Sequence, residues 1–160
     1  MTSSTHITIR RTGLVLATAV LGAVLAGSAL AGNGSQLNLP PQAAISLTTV
    51  TGVTEPLLMA GFTGIDADSS PLRFRGCFRT PMSLAMLSES YVVYPDPTPL
   101  NAPSWFSCFD SGRLTDDIAS GSAVAFLSER NIAPGVDRVV AVYADGRAYA
   151  WQQLNDSAEN

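Results

Sequence analysis

Hydrophobic and polar positions are most regular in the last third of the chain. Ala123 to Leu127 (AVAFL), Val139 to Tyr143 (VVAVY) and Ala148 to Gln153 (AYAWQQ) are short apolar runs separated by turn residues, a pattern that predicts three strands. Pro134-Gly135 predicts a turn after the first run. Asp145-Gly146 between the other two predicts a hairpin, because a type I′ turn needs positive φ at both central positions. Upstream, Leu72 to Arg79 (LRFRGCFR) alternates strictly. Leu72, Phe74, Gly76 and Phe78 fall on one face and Arg73, Arg75, Cys77 and Arg79 on the other, as a half-buried strand would place them.

Ala44 to Thr54 (AISLTTVTGVT) has the β-branched content of a further strand, and Thr63 to Ser70 (TGIDADSS) reads as a turn-rich loop. Pro81, followed by Met82, Leu84, Met86, Leu87 and Glu89, predicts a short helix with proline at its start. A second helix is expected from a cap at Asp110 or Ser111 to about Ser120, with Leu114, Ile118 and Ala119 inward and Gly121 beyond its end. Four prolines make Tyr91 to Pro103 an ordered surface loop. The apolar run Trp105-Phe106-Ser107-Cys108-Phe109 is expected to enter the core. The fold class is α+β: a small antiparallel sheet with a C-terminal hairpin, two short helices and long loops.

Residues 1–31 carry the three parts of an export signal: Arg10 and Arg11 without acid, 18 uncharged residues from Leu14 to Ala31, and a small-residue cleavage pattern after Ala31. A retained anchor over residues 14–31 is the alternative. Residues 32–43 read as a flexible spacer, 44–156 as one globular domain and 157–160 as a tail.

Charge then narrows the chemistry. All nine basic residues are arginine, and the lone histidine, His6, falls in the leader. The mature chain therefore has 7 arginines against 13 carboxylates, a net charge of −6. It has no basic cluster for nucleic acid. Without lysine or histidine it offers no Ser-His-Asp triad, Schiff base, histidine-bound metal or phosphate-loop lysine. Cofactors are expected to be none.

The two cysteines, Cys77 and Cys108, predict one disulfide in an oxidising compartment, with two buried thiols as the alternative. Arg73, Arg75 and Arg79 form the anion-binding candidate, since guanidinium forks take carboxylate, sulfate or phosphate. Pairing with Asp66, Asp68, Asp110, Asp116 or Asp117 would leave them structural instead. Asp66 and Asp68 are weak metal candidates: Pro71 stands where a calcium loop needs glycine. An aspartyl-phosphate nucleophile would need a lysine the chain lacks, so the bland reading of Asp66 to Ser70 is a hydrogen-bonded Asx/Ser turn. Tyr91, Tyr94, Trp105, Phe106, Phe109, Tyr143, Tyr149 and Trp151 read as core aromatics rather than a stacking platform.

Three stretches, IDADSSPLRFRGCF, LSESYVVYPDPTPLNAPSWFSCFD and GSAVAFLSERNIAPGVDRVVAVYADGRAYAW, resemble an uncharacterised family of short exported or membrane-anchored alphaproteobacterial proteins, over roughly residues 55–155. The resemblance implies a domain of unknown function facing the periplasm and brings no activity or catalytic residue. It implies two departures: relatives carry a histidine where this chain has Gln152, and they continue into a cysteine-bearing tail. The sequence reading is thus a non-enzymatic periplasmic binding or structural module with an envelope protein as possible partner. A small hydrolase using Asp66 and Asp68 beside the arginine face is the alternative. Contact with a membrane is expected only through an uncleaved N-terminus.

Overall fold

Eight consecutive residues, Val136–Tyr143, are buried without a break, as a strand covered on both faces requires. The computed structural model, which describes residues 45–159, shows why. In chain order the strands are Ser46–Thr48 (β1), Thr54–Pro56 (β2), Ala60–Ile65 (β3), Arg75–Arg79 (β4), Ala123–Ala133 (β5), Val136–Tyr143 (β6) and Arg147–Leu154 (β7). The helices are Leu84–Ser90 (α1) and Ser111–Ala119 (α2). Five strands form an antiparallel sheet in the order β3-β4-β7-β6-β5, and β1 pairs with β2 in a separate hairpin. The proposed leader, the cleavage point after Ala31 and the 32–43 spacer lie outside the described residues.

The period-two alternation of β6 divides the core. Val140 and Val142 join Phe74, Phe78, Phe126 and Ala150 on one face, under Ile45, Leu47 and Leu57 of the small hairpin and Leu87 of α1. Val139 and Ala141 join Cys77 and Trp151 on the other face, under Tyr94, Phe106, Phe109 and Leu114 of α2. Burying each large apolar side chain contributes roughly 1.5–3 kcal/mol, so both layers are strongly coupled to the sheet. The fold is α+β, as the sequence predicts, and a Cys77–Cys108 disulfide ties β4 to the loop before α2.

Several local expectations are corrected. Ala44 to Thr54 is not one strand: it folds back at Thr49–Val53, where Gly52 takes φ +85° and the Thr49 hydroxyl accepts from the Val53 N–H at 3.0 Å. Residues 63–65 belong to β3, so the loop begins at Asp66. Pro71–Arg73 form a 3₁₀ turn capped by the Ser70 hydroxyl, which delays the strand to Arg75. In α1 the cap is Ser83, whose hydroxyl accepts from the Met86 N–H at 3.2 Å, and Pro81 stays outside the helix. Helix α2 starts with Asp110 as its cap and is followed by Gly121 at φ +77°, as expected, but Ala119 is exposed.

The proline-rich segment is ordered in two parts. Its first residues run extended along the outer edge of β5: the Tyr94 N–H donates to the Ala125 carbonyl at 2.8 Å, and the Leu127 N–H to the Val92 carbonyl at 2.9 Å. That closes one edge of the five-stranded sheet. The remainder crosses the opposite face of the sheet from α1 toward Cys108.

Candidate functional site

The three arginines of the expected anion-binding face do not stay together. Arg73 lies in the 3₁₀ turn and is exposed; Arg75 opens β4 and is only 4 % exposed; Arg79 ends β4 and is exposed. Alternation failed because the chain is not extended at Leu72 and Arg73. Arg79 reaches the Asp145 carbonyl at 3.3 Å, away from the other two.

Arg75 is held from several directions. Its Nε donates to the Leu100 carbonyl (2.8 Å), Nη1 to those of Leu72 (2.8 Å) and Phe74 (2.6 Å), and Nη2 to that of Asn101 (3.0 Å). Its guanidinium carbon lies 5.7 Å from the centroid of Phe109. No carboxylate pairs with it: among the described residues the ion pairs use Arg113, Arg130, Arg138 and Arg147. Burial pulls its pKa below the ordinary guanidinium value, because desolvation disfavours the charged form. Arg75 therefore fastens the 100–101 loop to β4 and places an uncompensated positive charge there.

Above it opens a cleft of about 630 Å³, within the range of ligand-sized sites. Ile65 and Asp66 at the end of β3 form one side, Leu72 and Arg73 the 3₁₀ side, and Ala102, Pro103 and Trp105 the facing loop. Trp105 corrects a second expectation. Phe106 and Phe109 enter the core, but Trp105 is 71 % exposed, its ring edge-on to Phe106 at 6.0 Å. Backbone geometry explains this: residues 103–109 turn through consecutive i→i+3 bonds, Phe106 to Pro103 and Phe109 to Phe106. Positions 106 and 109 thus share one side and 105 faces another. Of the other aromatics singled out in the sequence, all are buried save half-buried Tyr149.

Asp66 lines the cleft and Asp68 is not among its lining residues. The Asp66 carboxylate accepts from the adjacent Ala67 N–H at 2.8 Å, and the Ser70 hydroxyl accepts from the Leu72 N–H at 3.2 Å, a serine turn that opens the 3₁₀ segment. Among the described residues, no three His, Cys, Asp or Glu side chains are grouped to hold a metal ion.

Two smaller polar constellations lie elsewhere. Asp137, fully buried, accepts from the Tyr94 hydroxyl (3.1 Å), the Asn131 N–H (2.8 Å) and the Asn155 amide (2.6 Å), with Arg130 at 3.7 Å. Burial, and then the Asp137 charge, push the Tyr94 hydroxyl up to about 12. Around Cys108, a cavity of about 180 Å³ is lined by Asp110, Arg113, Tyr143 and Arg147. Its two guanidiniums already pair, Arg113 with Asp117 and Arg147 with Asp145. Gln152 is buried against the 3₁₀ turn: turned to satisfy both of its polar atoms, its amide reaches the Pro71 carbonyl and its oxygen accepts from Arg138 at 3.2 Å.

Sheet, disulfide and cleft define a small α+β domain with a ligand-sized groove beside the β3 edge of its sheet. Residues 45–160 match the model of the Family of unknown function (DUF6446), and the chain belongs to that family. No curated protein and no solved structure matches it.

Proposed function

We propose that this chain is an exported, non-enzymatic binding module of the periplasm whose ligand occupies the cleft at Trp105. The observation that carries the reading is a tryptophan left 71 % exposed on the wall of a ligand-sized groove. Large aromatics are otherwise core residues in this chain, and a solvated indole contributes stacking area once a partner covers it. Export is supported by the leader pattern of residues 1–31, by the Cys77–Cys108 disulfide and by the resemblance to exported alphaproteobacterial proteins.

Asp66 in the same groove favours a second reading, hydrolysis with that carboxylate as base. It stands second because a carboxylate pair is the usual acid–base arrangement without histidine, and Asp68 is not part of the lining.

A thermal-shift panel of sugars, amino acids, peptides and aromatic acids tests the binding reading. At least one class is expected to raise the Tm of the protein and to leave Trp105→Ala unmoved, while that variant alone melts within about 0.5 kcal/mol of the parent, as exposed substitutions do. Equal responses of both proteins, or none, overturn it.

A further inference from the structure

We infer that the Trp105 cleft selects a monoanionic carboxylate carried on an apolar or aromatic body; this rests on the binding reading above. The charge of the lining is the first ground. Arg73 and Arg75 both border the groove, and neither pairs with a carboxylate among the described residues, whereas Asp66 contributes one negative charge. The lining thus holds one positive charge in excess, which complements a carboxylate better than a phosphate dianion. A buried charge without a counter-ion is costly to a fold, and here the domain as a whole is strongly acidic.

Donor geometry is the second ground. A guanidinium has five N–H groups, and the Arg75 contacts use both of Nη1, that of Nε and one of Nη2. One N–H of Nη2 has no acceptor, on a group whose bonds to Leu72 and Asn101 span two walls of the cleft. Arg73 adds an exposed fork on the rim. The remaining walls, Ile65, Leu72, Pro103 and Trp105, offer apolar surface to the body of the ligand. The smaller cavity near Cys108 lacks this asymmetry, because each of its arginines has a carboxylate.

Such a carboxylate has two sources, a free small acid or the C-terminus of a peptide ending in an apolar residue. The test titrates the full chain with phenylacetate and its neutral counterpart phenylacetamide, and with a tetrapeptide ending in phenylalanine as free acid and as amide. Tryptophan fluorescence reports binding, with Trp105→Ala giving the contribution of the buried Trp151. The acids are expected to bind at least tenfold more tightly than the amides, and Arg73→Gln to remove most of that difference without altering the melting curve. A response to phenylacetate assigns the small acid, and a response to the peptide acid alone assigns the chain terminus. Equal binding of acid and amide overturns the carboxylate assignment and leaves the binding module standing. No response to any of the four overturns it as well, and the solute panel on Trp105→Ala then decides separately whether the groove binds anything.

Discussion

Arg75 and Tyr94 show how single side chains hold this fold. Arg75 donates to four carbonyls from two chain segments, residues 72–74 and residues 100–101. Arg75→Met leaves these acceptors buried and should cost roughly 2–4 kcal/mol in chemical denaturation. Arg75→Lys should not restore it, since an ammonium cannot span the same fork. Tyr94 gives a pH signature. Its hydroxyl is held protonated up to about 12 in the fold, above its ordinary value of 10.0. The folded state thus binds the proton more tightly, so this contribution is complete below pH 10 and lost as pH rises toward 12. Tyr94→Phe should flatten that part of the alkaline unfolding limb and cost about 1.5–3 kcal/mol at neutral pH, the usual range for a hydrogen bond to a charged group. Neither role was legible in the sequence. Alternation treats an arginine as outward-facing, and only the return of the 100–101 loop makes Arg75 a buried clip. Trp105 failed in the opposite direction: hydropathy places it in the core, and the turn geometry of residues 103–109 turns it out.

Elements read better than residues where a local signal was strong. Asp145-Gly146 does make a hairpin, with Gly146 at φ +83° and its N–H donating to the Tyr143 carbonyl at 3.0 Å. Its form differs from the expected type I′, however: only Gly146 takes positive φ, and three residues separate β6 from β7, the common alternative with a glycine bulge. A side chain at Gly146 would also meet the Thr80 carbonyl at 2.6 Å. Gly146→Ala should therefore cost roughly 2–4 kcal/mol, read as a lowered denaturation midpoint. Helix α2 was legible because cap, apolar spacing and terminal glycine agree. Strand β3 was not, because Ala60 to Ile65 carries two glycines and is mostly exposed. What stabilises it lies far away in sequence: Gly64 sits opposite Gly76, and the Phe62 ring covers both.

At the scale of the molecule, the disulfide joins the central sheet to the loop that carries Trp105. Reducing Cys77–Cys108 opens a 31-residue separation and should lower stability by roughly 3–4 kcal/mol. Intact mass should rise by two hydrogens on reduction, and an unchanged mass would exclude the bond. The absence of lysine and histidine from residues 45–160 was visible at once and already narrowed the site to arginine and carboxylate chemistry. Which arginines would share a groove was not, because it depends on a 3₁₀ turn and a returning loop. The most direct test of the account follows the two indole N–H signals by NMR during titration with phenylacetate. Trp151 is buried, its N–H bonded to Gln153 at 2.9 Å, and serves as an internal reference. A saturable shift of the Trp105 signal is expected, with the Trp151 signal fixed, and it should be abolished in Arg73→Gln. A Trp105 signal that stays fixed, or one that moves equally with phenylacetamide, would contradict it.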